Sequence, residues 1–145
     1  MFSTITKRVA AIWNGRRGPQ LPLGLRGENA AARFLRRKRY KIVARQDRAK
    51  LGEIDLVAVD GETVVFVEVK TRTDWQAGHP AEAITADKQR RITGAALAFL
   101  RSHDLLEYAA RFDVVAVTWP RDASSPTIEH YENAFEPSGK WQMFS

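Results

Sequence analysis

The chain has 145 residues, 44% of them hydrophobic, and a formal net charge of +6, which fits a single domain able to bury an ordinary core. It contains no cysteine, which excludes disulfide frameworks and thiolate zinc sites, and its three histidines, His79, His103 and His130, stand too far apart for a zinc-binding pair. The longest apolar run near the N-terminus, Val9–Trp13, is too short for a signal-peptide core or a membrane span, so no transmembrane segment and a cytoplasmic location are expected.

Charge is unevenly distributed. Residues 1–50 carry fourteen Lys/Arg against two acids, Glu28 and Asp47, whereas the remainder carries nine Lys/Arg against fifteen acids. A chain with one basic end suits contact with phosphates; the plain alternative is a solvated tail and helix face.

Residues 1–26 read as a basic, flexible extension: a short amphipathic helix around Thr4–Asn14, then a linker broken by Gly15, Gly18, Pro19, Pro22 and Gly24. The compact domain is expected over 27–136, with 137–145 as a tail. Gly27–Arg39 reads as a helix, with Ala31, Ala32 and Leu35 as its apolar stripe and Arg33, Arg36, Arg37 and Lys38 on other faces. Tyr40–Arg45 is a first strand. Glu53–Val59 and Glu62–Thr71 flank Asp60-Gly61, a strong hairpin signal. After a loop at Asp74–Pro80, a helix is expected from Pro80 or Ala81 to about Ser102, with Ile84, Ile92, Ala95, Ala96 and Phe99 inward. Phe112–Trp119 is a further strand, and Thr127–Phe135 a weaker, polar one at a sheet edge. The order α-β-β-β-α-β-β predicts an α/β fold, a mixed central sheet of about five strands flanked by helices.

Strand alternation assembles a candidate site. Glu53, Asp55, Val57 and Val59 share one face of the second strand, and Val64, Phe66, Glu68 and Lys70 share one face of the third. A turn pairing Val59 with Glu62 sets Asp55 opposite Phe66 and Glu53 opposite Glu68. Asp55 and Glu68 are then diagonal neighbours, about 7–8 Å apart at the backbone. Like charges buried together need compensation, and a divalent cation supplies it. Oxygen ligands without Cys or His favour Mg²⁺ or Mn²⁺. Glu28, one turn before Ala32, adds a third carboxylate on the apolar side of its helix. Structural ion pairs and a dipole-favoured first-turn Glu28 are the competing explanations. Glu53, at the strand start, is the least secure member.

Asp55 followed by Glu68-Val69-Lys70 across a hairpin resembles the PD-(D/E)XK nuclease signature, with Ile54-Asp55 in place of its proline-aspartate opening. Gly52–Asp60 (GEIDLVAVD), Val65–Arg72 (VFVEVKTR), Gly27-Glu28 and Arg111–Val117 (RFDVVAV) together resemble the YraN-type family of bacterial predicted endonucleases, related to archaeal Holliday-junction resolvases. The resemblance spans roughly residues 25–120 and implies a restriction-endonuclease-like core and a metal-dependent DNA nuclease acting in repair or recombination. It implies catalytic Glu28, Asp55, Glu68 and Lys70, with Asp55, Glu68, the main-chain oxygen of Val69 and Glu28 as Mg²⁺ or Mn²⁺ ligands. A homodimer is implied by analogy with the resolvases alone.

Nucleic acid, DNA before RNA, is the expected partner. Arg33, Arg36, Arg37, Lys38, Arg45 and Arg48 are the expected backbone contacts, and Arg72 follows Lys70 toward a neighbouring phosphate. Lys88, one turn before Ile92, is a further expected nucleic-acid contact that reaches the same site, with a lysine snorkelling to solvent as the alternative. Trp75 is the tryptophan considered for base stacking. Asp113 is expected to pair structurally with Arg111. The competing function is a nucleic-acid-binding module on a nuclease-like fold with weak or absent catalysis.

Overall fold

The Val-, Ile- and Phe-rich runs in the middle of the chain are buried on both sides, so they must be covered by two layers. In the computed structural model, which describes residues 4–9, 23–46, 49–74 and 84–138, those layers are helices. The elements are α1 (Thr4–Val9), α2 (Leu23–Arg37), β1 (Lys41–Arg45), β2 (Leu56–Asp60), β3 (Thr63–Arg72), α3 (Ala86–Ser102), β4 (Ala109–Thr118) and β5 (Thr127–Phe135). They form a mixed five-stranded sheet in the order β1-β2-β3-β4-β5. Its pairings are antiparallel except β3 with β4, which run parallel and are joined through α3.

Period-two alternation sorts the side chains into two cores. Leu56, Ala58, Val65, Val67, Val115 and Val117 cluster with Ala30, Ala31, Ala32 and Leu35 of α2. Val57, Val59, Val64, Phe66, Phe112 and Val114 cluster with Ile92, Ala96, Leu97, Phe99 and Leu100 of α3. Ile5 and Val9 of α1 belong to this second cluster, and Arg8 of the same helix donates to the Asp104 carbonyl at 3.0 Å. Thr4–Val9 of the N-terminal stretch is therefore packed; residues 10–22 lie outside the described residues. None of the described helices is long and apolar enough to cross a membrane.

Several boundaries and one register differ from the sequence expectation, β4 for example starting at Ala109 and not Phe112. β2 starts at Leu56, not Glu53, because Leu51–Ile54 forms a turn closed by Ile54 N–H donating to the Leu51 carbonyl at 3.1 Å, with Gly52 at φ +62°. The hairpin pairs Asp60 with Thr63 and Val59 with Val64, a two-residue shift, because Gly61 (φ +63°) and Glu62 together make the turn. α3 starts at Ala86, since Thr85 is extended and caps it by accepting from Lys88 N–H at 3.1 Å. α2 starts one turn early, at Leu23.

A second polar centre lies at the β4–β5 border. The fully buried Asp113 accepts from Arg111 Nε and from Asn133 N–H, each at 3.0 Å, and lies 2.7 Å from His130 Nε2. His130 Nδ1 sits 2.8 Å from Lys38 Nζ, so Nδ1 accepts there while Nε2–H donates to Asp113. Asp113 thus pairs structurally with Arg111.

Candidate functional site

Along β3 the side chains are buried through Glu68 and half-buried from Val69 to Arg72, so this strand carries charged groups outward at one end of the sheet. Glu68 is only 5% exposed, and its Oε2 is buried with no hydrogen-bond donor among the described residues. Lys70 is half-buried two residues on, on the same strand face by alternation.

Asp55 stands in the bend immediately before β2. Since Leu56 pairs with Val67, the ladder places Asp55 beside Glu68 rather than diagonal to it, correcting the expected pairings of Asp55 with Phe66 and Glu53 with Glu68. Asp55 Oδ2 accepts from Val69 N–H at 2.8 Å, which fixes its carboxyl at the edge of β3. Burial first, then the charge of Glu68 and more weakly that of Glu28, push the Asp55 carboxyl up to about 8, against the pull of the Val69 N–H.

Glu28 comes from α2, which covers the opposite face of the sheet, and its charge adds a smaller push on Asp55. The approach of α2 depends on Gly27. A methyl at Gly27 would sit 1.9 Å from Thr71 Oγ1 and 3.0 Å from Thr71 Cβ, so only glycine lets α2 lie this close to β3. Gly27→Ala is expected to lower stability by about 1–3 kcal/mol despite the better helix propensity of alanine. Urea denaturation checks this, and Thr71→Ala in the same chain should restore part of the loss.

Among the described residues no group of three or more His, Asp or Glu side chains is gathered closely enough to hold a metal ion. The donor set nonetheless fits a hard cation: two adjoining carboxylates, one with an orphaned buried oxygen, a third carboxylate whose charge reaches them, and no sulfur or imidazole.

Lys88 reaches this site. From the first turn of α3 its Nζ donates to Glu68 Oε1 at 2.5 Å, which settles the choice between site and solvent. Glu53 points elsewhere, exposed and accepting from Arg91 Nε at 3.2 Å. Arg72 donates from Nε to Thr118 Oγ1 at 3.0 Å.

Arg33, Arg36 and Arg37 are exposed on α2. Lys38 is held by His130 and, at 4.0 Å, by Glu132. Arg45 is not on the basic surface: it is 4% exposed and donates to Asn29 Oδ1 at 2.5 Å, bracing α2 against β1. Its direction follows from a bulge between Ile42 and Ala44 that resets the alternation of β1. Arg48 and Trp75 lie outside the described residues. Two neighbours of β3 were not singled out from sequence: Arg26 lies over the Trp119 ring at 4.3 Å, and the Trp119 N–H donates to the Arg72 carbonyl at 2.7 Å. Their positions, ninety-three residues apart, offer no spacing signal.

Fold and site together define an α/β domain whose mixed sheet ends in an acidic pair, buried Glu68 and half-buried Asp55, with Lys88 on Glu68 and Lys70 on the same strand. The chain belongs to the family described as "Uncharacterised protein family UPF0102", whose pattern matches residues 27–117. Similar proteins include a UPF0102 protein of Rhodopirellula baltica, 51% identical over 120 residues, covering 81% of this chain and 72% of that one. UPF0102 proteins of Geobacter metallireducens and Geobacter sulfurreducens are 51% and 52% identical over 114 residues, covering 79% of this chain and 92% and 88% of theirs.

Proposed function

We propose that this protein is a metal-dependent endonuclease of the PD-(D/E)XK kind, a YraN-type enzyme that hydrolyses phosphodiester bonds of branched or single-stranded DNA during repair or recombination in the cytoplasm. The observation that carries the reading is the pairing of half-buried Asp55 with buried Glu68, which has an orphaned carboxylate oxygen and Lys70 on the same strand, at the end of β3. A purely structural Lys88–Glu68 ion pair accounts for Glu68 alone and gives no reason for the Asp55 carboxyl beside it, held well above its ordinary value.

Asp55, Glu68, Glu28 and the main-chain oxygen of Val69 would hold Mg²⁺ or Mn²⁺. When bound, such a cation neutralises charge on the scissile phosphate and makes water a better nucleophile at neutral pH. Lys70 orients the attacking water and meets the negative charge that grows on phosphorus-bound oxygen during displacement. Val69 N–H holds Asp55 in place throughout. Arg72 and the exposed Arg33, Arg36 and Arg37 position the nucleic acid through its phosphates, a contact that reads no sequence and weakens with salt.

The test is a cleavage screen of the purified chain on duplex, flap, four-way junction and single-stranded DNA, with Mg²⁺, with Mn²⁺ and with chelator. Cleavage is expected with either cation on at least one substrate and none with EDTA. Salt-sensitive binding without cleavage on every substrate would replace this reading with that of a binding module.

A further inference from the structure

We infer that Lys88 is the site's own placeholder cation: its ammonium balances Glu68 while no metal is bound, is displaced when a divalent cation arrives, and then becomes free to meet the substrate phosphate. This rests on the metal-site reading above and assigns a role to a residue outside the Asp55, Glu68 and Lys70 signature.

The geometry is specific. Lys88 Nζ lies 2.5 Å from Glu68 Oε1, and the Glu68 side chain is only 5% exposed against 25% for Lys88. The carboxylate is thus fixed inside the protein while the lysine enters from the solvent edge. The backbone of Lys88 is anchored, because its N–H is the one that caps α3 on Thr85 Oγ1. Displacement therefore moves the flexible four-carbon stem and leaves the helix in place. Besides Glu68, the negative charges bearing on Lys88 are those of Asp55 and Glu53. The same Glu68 and Asp55 are the carboxylates the metal would use, so the ammonium and a divalent cation compete for one patch of negative charge. At a separation of a few ångströms, a monovalent and a divalent cation repel each other even at the partly exposed edge of the site. A released ammonium on the first turn of α3 is then a positive group at the open side of the site, suited to a phosphate oxygen.

This sets a direction that a merely structural lysine does not. Isothermal titration of Mn²⁺ into the DNA-free protein should show tighter binding, on the order of tenfold, in Lys88→Met than in wild type, because the competitor is gone. Lys88→Gln keeps a hydrogen-bond donor for Glu68 without its charge, packs almost as the native side chain, and should show the same tightening. Lys88→Arg, which keeps the charge, should not. DNA cleavage by Lys88→Met and Lys88→Gln should fall although their metal affinity rises. Unchanged or weaker Mn²⁺ binding in both neutral variants, beside a wild type whose binding is lost in Glu68→Gln, would overturn the placeholder role and leave the metal site standing. A wild type that binds neither Mn²⁺ nor Mg²⁺ would overturn both.

Discussion

Replacing Asp55 with asparagine is expected to make the metal-free protein more stable while sharply lowering the metal-dependent cleavage proposed above. The amide has nearly the shape of the carboxyl and retains an oxygen for Val69 N–H, but it removes a charge that burial and Glu68 both oppose. The sign follows from the shift itself. The ordinary value is 3.8 and the folded value about 8, so between those pH values the native state keeps a proton that the unfolded chain has released. Stability drawn from this group is complete below about pH 4 and is lost as pH rises toward 8. In EDTA at pH 8 the variant should therefore be more stable than wild type, by about 1–3 kcal/mol, and the gap should close near pH 4. Urea denaturation at the two pH values measures it. Cleavage should fall roughly 10³-fold, the scale of several kcal/mol of lost transition-state stabilisation. Added Mn²⁺ should raise the melting temperature of wild type and not that of the variant. A variant less stable than wild type at pH 8 would mean that the carboxylate is satisfied by structural partners, against the site reading.

The largest stability effect should come from Asp113→Ala, at a residue with no part in the proposed chemistry. Burial pushes this carboxyl up, yet hydrogen bonds from His130, Arg111 and Asn133 together hold it below its ordinary value. Alanine would leave a half-buried guanidinium with Asp60 as its remaining anion, at 3.2 Å, and strand the Asn133 N–H at a residue with φ +51°. Removing one partner of such a buried set costs about 3–5 kcal/mol, a large part of the roughly 5–15 kcal/mol that holds a domain together. Because the folded value is lowered, the contribution is present above the ordinary value of 3.8 and fades as pH falls through the folded one. The difference between wild type and variant in urea denaturation should thus be full at pH 7 and shrink in strong acid. A loss under about 1 kcal/mol at pH 7 would show that water or rearranged side chains replace the network.

How far the sequence could be read is clearest at the hairpin. The alternation of IDLVAV and VVFVEVK correctly assigns Val57, Val59, Val64 and Phe66 to one face, yet it cannot set the register. A slip of two residues returns every side chain to the same face, so hydrophobic pattern is blind to it. The choice fell to Gly61, whose positive φ puts it in the turn with Glu62 and draws Asp55 alongside Glu68. Arg45 was misplaced for a related reason: a bulge adds a residue to β1 without any mark in composition and sends the guanidinium inward.

By itself, the sequence determined the α/β class, the order of elements, the two-faced burial of the strands and the presence of Asp55, Glu68 and Lys70 around one hairpin. Those follow from periodicity and turn chemistry, which act between residues close in the chain. Only the tertiary structure decided that Lys88 meets Glu68, that Gly27 lets α2 lie close to β3, and that Arg45 and Asp113 lie inside. Such contacts join residues from different elements. They depend on how closely two layers pack and on which charge must be neutralised where water is excluded, and neither quantity is written in local spacing.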